Sequence, residues 1–332
     1  MRYYYKTDLG MSYCGDFIET ISKLKCDGQF QLILTSPPFP LNKKKKYGNM
    51  EGQEYIEWIK SLAPVFCDLL ANDGSLVIEI GNAWEKDRPV QSLLPLKSLM
   101  ALTEGDSGLR FIQEFICHNP ARIPSPAQWV TVNRIRAIDS FTHVWWLAKT
   151  DYPKANNERI LRPYSKSMER LLGRKKYNTG QRPSEHSISK TSFLKRQEGS
   201  ISHNVLEMES EGKELRLPYS MQNIANTSSN DRYLTACREK GITPHPARMP
   251  LGLAAFFIEF LTDEGDYVLD PFAGSNTTGY CAEVLGRKWV ATEMEEEYLY
   301  QSSFRFLGQD RKMIKTGKAF REYADTRTNR SI

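Results

Sequence analysis

An α/β fold is what this sequence predicts, and three observations carry the prediction. Short apolar runs that read as buried strands recur along the chain, separated by segments with helical spacing. Two of those runs end in loops of unusual chemistry, Ser36-Pro37-Pro38-Phe39 and Asp270-Pro271-Phe272-Ala273-Gly274-Ser275. The second loop opens a helix that leads to one more strand, and open α/β sheets place ligand sites at such turns. With 332 residues the chain has room for one large α/β domain, or for one with a smaller companion.

Composition narrows the function classes. Apolar residues make up 40% and charged residues 26%, enough for a sizeable core. No apolar run approaches the roughly 18 residues that span a bilayer. The first ten residues are tyrosine-rich and polar, without a signal-peptide core, which predicts a cytoplasmic protein. Cys14, Cys26, Cys67, Cys117, Cys237 and Cys281 show no C-x-x-C pair and no histidines at ligand spacing, so free buried thiols are expected and no metal site. The net charge of +5 is unevenly spread: Asp151 to Gly241 holds 17 Lys/Arg against 11 Asp/Glu, the remainder 28 against 29. A basic excess confined to one segment suits a polyanionic partner.

In order, Ser12 to Asp16 reads as a strand ending in a Gly-Asp turn. Phe17, Ile18, Ile21 and Leu24 then carry helical spacing. Asp16 can cap that helix or bind a ligand, and both stay open. Phe30 to Leu34 is a buried strand, stopped by two prolines that donate no ladder hydrogen bond and fix φ. The result is a stiff loop with an aromatic ring beside carbonyl and hydroxyl oxygens. It suits a planar base with an exocyclic amino group: the oxygens accept the amino hydrogens and Phe39 stacks on the ring. An ordinary strand exit is the plain alternative. Lys43, Lys44, Lys45 and Lys46 repel one another and are exposed, as a solvated loop or as phosphate contacts.

Helical spacing runs from Tyr55 to about Ala71, with Pro64 predicting a kink or a division, and Asn72-Asp73-Gly74 ending the helix. Ser75 to Ile80 is a second buried strand, followed by Gly81-Asn82. A helix near Leu93 to Ala101 and strands at Phe111 to Cys117 and Phe141 to Ala148 come next. Trp145 and Trp146 in the last are either core or the wall of a base pocket. From Asp151 periodicity weakens, and the densest basic patch is Arg174-Lys175-Lys176. Recurrent Tyr, Leu, Ile and Phe argue against a disordered linker there. Beyond His245-Pro246-Ala247-Arg248-Met249-Pro250 come a helix at Leu253 to Leu261, a strand at Tyr267 to Asp270, the second loop, a helix to about Leu285, and a strand from Trp289 to Thr292 that ends at Glu293.

Strand, glycine-containing loop, helix, strand and acid form a nucleotide-binding arrangement. Glycine lets backbone approach a ligand, the helix amino terminus offers free N–H groups, and Glu293 can accept both ribose hydroxyls. The loop matches neither G-x-G-x-x-G nor a P-loop. A ligand with one nucleoside and a short carboxylate tail fits, and S-adenosylmethionine is such a ligand.

Asp270-Pro271-Phe272-Ala273-Gly274-Ser275-Asn276-Thr277-Thr278-Gly279 resembles the cofactor loop of amino-directed DNA methyltransferases, and Ser36-Pro37-Pro38-Phe39 resembles their catalytic loop. The order, catalytic loop first and cofactor loop last, resembles their circularly permuted β group, above all its PvuII-type cytosine-N4 methylases. The resemblance covers most of Tyr13 to Leu161 and His245 to Leu307. It implies a Rossmann-like, S-adenosylmethionine-dependent methyltransferase fold with both loops at the carboxyl edge of a mostly parallel sheet. The implied organisation is a catalytic half at 1–150, an inserted target-recognition domain at 151–243, a cofactor-binding half at 244–310 and a charged tail at 311–332. The implied catalytic residues are Ser36, Pro37, Pro38 and Phe39. The implied cofactor residues are Asp16 on the adenine side, Glu293 on the ribose, Asp270, Phe272 and Gly274 along the ligand, Ser275 and Thr277 near its amino acid portion, and His245 closing the pocket. Lys43 to Lys46 with Arg174, Lys175 and Lys176 are the expected DNA contacts.

Carbon-5 cytosine methylation needs a Pro-Cys nucleophile, and none of the six cysteines follows a proline. Adenine enzymes of this type usually carry Asp or Asn where this chain has Ser36, so the resemblance favours cytosine N4. The expected activity is sequence-specific methylation of duplex DNA by base flipping within a restriction–modification system. Adenine-N6 methylation, RNA methylation and an inactive DNA-binding protein are the alternatives, and monomer and homodimer both stay open.

Overall fold

The computed structural model describes residues 2–39, 52–174, 195–207 and 232–306, with 177, 179–181, 183–185, 187–189, 315–316 and 318. Lys43 to Lys46, Tyr47, Lys175, Lys176 and nearly all of the tail at 311–332 lie outside the described residues.

The strands are β1 (Tyr5–Lys6), β2 (Gly10–Cys14), β3 (Phe30–Thr35), β4 (Leu70–Gly81), β5 (Arg110–His118), β6 (Phe141–Ala148), a separate small pair β7 (Gly180–Gln181) and β8 (Ser187–Ile188), then β9 (Val205–Glu207), β10 (Tyr267–Asp270), β11 (Lys288–Glu293) and β12 (Lys315–Thr316). All but β7 and β8 join one sheet in the order β12-β1-β2-β11-β10-β3-β4-β6-β5-β9. From β2 to β4 neighbouring strands are parallel, whereas β6 is antiparallel to both β4 and β5. The sheet is thus mostly parallel at its centre, and the carboxyl ends of five central strands share one edge.

Helices cover both faces, as a parallel sheet requires. On one side lie α1 (Phe17–Leu24), α2 (Gly52–Leu69) and α3 (Leu94–Thr103), which bury Phe17, Phe66 and Leu102 against Ile33, Ile78 and Trp145. The helices of the remainder are α4 (Lys166–Arg174), α5 (Arg232–Glu239), α6 (Leu251–Leu261), α7 (Thr277–Val284) and α8 (Glu296–Ser302). Of these α5, α6, α7 and α8 pack on the other face, where Tyr233, Phe257, Cys281 and Leu299 meet Leu32, Leu34, Val77 and Val268. Period-two alternation sends Ile33 to one core and Leu32 and Leu34 to the other, so β3 is apolar on both faces.

Two expectations are corrected. Pro64 does not divide α2, which runs unbroken through it, and both Pro64 and Lys60, the residue one turn earlier whose carbonyl lacks its usual helical donor, are exposed. Asn72-Asp73-Gly74 does not separate a helix from a strand. It forms an irregularity inside β4, where Phe30 pairs with Leu70 but Leu32 already pairs with Ser75. Of the two readings of the adjacent tryptophans, core is the one that holds: Trp145 is fully buried and Trp146 nearly so, with its indole N–H donating to Ser75 Oγ at 2.9 Å. The described ends of 151–243 are joined to the rest of the chain. Asn156 N donates to Phe260 O at 2.8 Å, Ile160 and Tyr233 join the main core, and β9 extends the sheet beside β5.

Candidate active site

Cys14, Glu293, Asp270, Thr35 and Gly81 end adjacent strands, so the chain segments that follow them crowd one edge. Since β10 lies directly beside β3, the Ser36 loop and the Asp270 loop are neighbours although about 235 residues apart in sequence. Thr35 Oγ1 donates to Asp270 Oδ1 at 2.8 Å, and Phe272 N donates to the same oxygen at 3.2 Å. Thr278 Oγ1 reaches back to Leu34 O at 3.3 Å. Asp270 is 4% exposed, and burial pushes its carboxyl up to about 6 against the opposing hydrogen bonds from Thr35, Thr278 and Phe272 N. The sequence resemblance counts Asp270 among the cofactor residues, and its carboxylate ties the two loops together.

The cofactor-type loop is braced from several directions. Ala273 N donates to Thr292 O at 3.0 Å and Thr292 Oγ1 to Pro271 O at 2.6 Å. Gly274 holds φ at +49° and donates its N–H to Glu293 Oε2 at 2.8 Å, while Glu295 N donates to Glu293 Oε1 at 2.9 Å. Burial raises the Glu293 carboxyl above its ordinary range, and these backbone donors oppose the shift. Each carboxylate oxygen retains a further lone pair for a ligand hydroxyl. Asn276, also left-handed at φ +50°, caps α7 by accepting from Gly279 N at 3.0 Å. Ser275 and Thr277 are buried with their hydroxyls 3.3 Å apart, and Arg305 donates to the Ser275 carbonyl at 2.7 Å and to its hydroxyl at 3.1 Å. These contacts brace the loop just before α7.

His245 lies against this loop. A Cβ on Gly274 would stand 3.1 Å from the imidazole Cε1 and Nε2, so the ring rests on the glycine. Its Nδ1 faces the Ala247 carbonyl, its backbone N donates to Tyr233 Oη at 2.8 Å, and Tyr298 packs edge-on at 4.4 Å. Burial lowers the His245 pKa, with Arg248 and Arg305 adding to the effect. A neutral ring with its proton on Nδ1 leaves Nε2 as an acceptor at Gly274. Phe272 is half-buried between Phe17 at 6.0 Å and Trp58 at 5.6 Å. Asp16 is exposed and accepts from Glu19 N at 3.0 Å, so it caps α1 at the end of β2.

In the Ser36 loop, Pro37 is buried while Ser36, Pro38 and Phe39 are half-buried. The Phe39 ring crosses to the end of β4: a Cβ on Gly81 would meet its Cε2 at 2.6 Å. Gly81 is thus the seat of that ring, a role that sequence reasoning missed although it noted Gly81-Asn82 after a buried strand. Beside it, Asn82 Oδ1 lies 3.1 Å from His143 Nε2, His143 Nδ1 lies 2.7 Å from Glu114, and Asn82 Nδ2 donates to Asp139 at 2.8 Å. Arg174 is exposed at the end of α4, away from the two loops in sequence, and Lys43 to Lys46, Lys175 and Lys176 are not among the described residues. Burial lifts the Cys117 and Cys281 thiols to about 12, which leaves them poor nucleophiles. No helix among the described residues is long and apolar enough to cross a membrane.

Comparison with known proteins places this arrangement. A family model described as DNA methylase matches residues 30–304. The type II methyltransferase M.PvuII of Proteus hauseri is 40% identical over 305 residues, covering 91% of this chain and 85% of the relative. The solved PvuII DNA methyltransferase, described as cytosine-N4-specific, superposes with a TM-score of 0.69 at 31% identity over 98% of this chain and 94% of its own. A Thermus thermophilus protein described as a DNA modification methylase shares the fold with a TM-score of 0.51 at 17% identity, over 89% of this chain and 93% of its own.

Proposed function

The chain belongs to the DNA methylase family whose model it matches, and from that premise we propose that it methylates the N4 amino group of cytosine in double-stranded DNA, using S-adenosylmethionine. The observation that carries this reading is the clasp between Thr35 and Asp270. It holds a Ser-Pro-Pro-Phe loop, able to grip an amino-bearing base, against a loop shaped for a nucleoside ligand. The similarity to the PvuII methylase supports cytosine as the base and protection against a restriction enzyme as the biological role.

The residues present fit the cofactor. Glu293 offers carboxylate lone pairs at the sheet edge, Gly274 leaves no room for a side chain under His245, and the start of α7 offers backbone N–H groups. When bound, S-adenosylmethionine supplies the electrophilic methyl. In our reading Glu293 accepts the ribose hydroxyls, Asp16 reaches the adenine side, Phe272 packs on the ligand, and His245 closes over Gly274. Ser275, Thr277 and Asp270 act by shaping the loop.

The target cytosine swings out of the duplex. Phe39 stacks on it from its seat on Gly81, while Ser36 Oγ and the Pro37 carbonyl accept the two amino hydrogens. Those hydrogen bonds would weaken conjugation of the nitrogen with the ring, turn its lone pair toward the cofactor loop, and leave Ser36 Oγ placed to relay to solvent the amino proton that substitution releases. The protein acts by orientation and electrostatics, with no covalent intermediate. Lys43 to Lys46, Arg174, Lys175 and Lys176 meet phosphates, and target recognition lies within 151–243, the segment that carries the basic excess. We place the working protein in the cytoplasm, with one or two copies per assembly to be decided by sedimentation.

Nucleoside mass spectrometry of DNA from cells expressing the chain, beside an empty control, tests this. N4-methylcytosine is the expected product. N6-methyladenine would overturn the reading of Ser36, and absence of both marks would overturn DNA methylation.

A further inference from the structure

Resting on the base-flipping reading above, we propose that the loop between β5 and β6, residues 119–140, is the surface that enters the DNA duplex where the target base leaves it, with Ile123 filling the vacated place in the stack.

Topology puts the loop where it would have to be. His118 pairs with Phe141 and Gly81 with Thr142, so residues 119–140 leave the sheet from the edge that carries Ser36. β6 stands two strands from β3, a lateral distance of about 10 Å. Phe39 already spans the first of those strands by resting on Gly81.

The chemistry of the loop is that of a wedge with flanking cations. Ile123 is 80% exposed, Val132 66%, Ile135 60% and Ile138 45%. A lone exposed aliphatic residue needs no explanation, but four branched ones in one connection do. They do not arise from a slack chain. Trp129 N donates to Pro126 O at 3.1 Å, Ile135 N to Trp129 O at 3.0 Å, and Asn119 N to Ser140 O at 2.7 Å. The loop is also fastened to the neighbouring connection after β4: Asn82 Nδ2 donates to Asp139 at 2.8 Å, and Arg136 donates to Pro89 O at 2.7 Å with its guanidinium 3.5 Å over the Trp84 ring. Bracing of this kind keeps the isoleucines outward, ready before any partner arrives. Within the loop Arg122, Arg134 and Arg136 stand against one acid, Asp139, whose carboxylate is already engaged by Asn82, and Arg122 also feels Glu79 at the end of β4. Arg134 is exposed at a left-handed φ of +54°.

A second copy of the chain is the other occupant to weigh. Stable dimer faces have a contiguous apolar centre depleted of charge. Here branched side chains alternate with arginines and Asn133, the mixture by which proteins wedge base steps apart while holding the adjoining phosphates. A flipped nucleotide leaves a gap that forfeits stacking, and an aliphatic side chain placed in it offsets part of that loss.

The test compares single-turnover methylation of two duplexes carrying the mapped recognition site, one normally paired and one with an abasic site opposite the target cytosine. Ile123→Ala is expected to slow transfer to the paired duplex at least tenfold, with the deficit shrinking to under threefold on the abasic one. Pyrrolocytosine at the target position should brighten on binding the wild type and much less with the variant. Ile123→Leu, which keeps an apolar wedge, should restore most of the rate on paired DNA. Equal slowing on both duplexes, or no slowing on either, overturns the wedge. So does a rate loss that tracks conversion of a dimer to a monomer in sedimentation, which would assign the loop to a second copy. Failure of the functional reading looks different, because the wild type itself would then methylate neither duplex.

Discussion

The two loops that meet at Thr35 and Asp270 are held by different means. The Asp270 loop is over-determined: Glu293, Thr292, Asn276 and Arg305 each fix a different backbone group in it, and His245 sits on its glycine. Among the described residues, the Ser36 loop is held by proline stiffness, by the hydroxyl–carboxylate clasp and by the seating of Phe39 on Gly81. A pocket that binds a soluble ligand gains from being preformed. A loop that receives a base swung out of a duplex serves the transfer step instead. Damage to the first loop should therefore show in cofactor affinity and stability, and damage to the second in turnover.

The sharpest way to separate them is Ser36→Ala. Loss of one acceptor aimed at the reacting amino group is expected to lower kcat about 100-fold or more, with cofactor affinity within about twofold by calorimetry. A fully active variant would remove Ser36 from the chemistry. Glu293→Ala is the counterpart. It strands the N–H groups of Gly274 and Glu295, so cofactor binding should weaken at least tenfold and stability fall by about 1–3 kcal/mol in urea titration. If the cofactor bound normally, the ribose role of Glu293 would be lost.

What the sequence made legible follows the same division. Strand–loop–helix at Asp270 to Thr278 could be read because glycine, an N-cap and a following acid have fixed local geometry. The Ser36 loop could be read because two prolines force an exit from a buried strand. The continuity of α2 through Pro64 could not, because it depends on which face of the helix meets solvent. Nor could the inward turn of Asp270 or the seat at Gly81, since each is set by strand order rather than by any local pattern. The mixed character of 151–243 was hidden for a like reason: Ile160 and Tyr233 reach the main core across gaps that periodicity does not register.

Gly81→Ala tests the lighter fastening. The added methyl would stand 2.6 Å from the Phe39 ring, so the ring must move off its seat. Turnover is expected to fall about tenfold, the order reached when a positioning contact is misplaced, with little change in cofactor affinity. An unchanged kcat would mean that Phe39 finds the base without Gly81.

Asp270→Asn is the smallest and most specific change. Asp270 titrates at about 6 in the folded chain against an ordinary 3.8. Between those values the native state holds a proton that the unfolded chain has released, so stability falls as pH rises from about 4 to about 6. At neutral pH the buried charge therefore costs on the order of 1–3 kcal/mol. An asparagine carbonyl can still accept from Thr35 and Phe272 N, and its amide can donate to the Thr278 hydroxyl, which itself donates to Leu34 O. The variant should match the wild type below pH 4, exceed it at pH 7, and lose the slope between. Thermal melts across that window check it, with cofactor titration alongside. Greater stability with intact binding would fix Asp270 as a brace between loops. A collapse of cofactor affinity would return its carboxylate to the ligand.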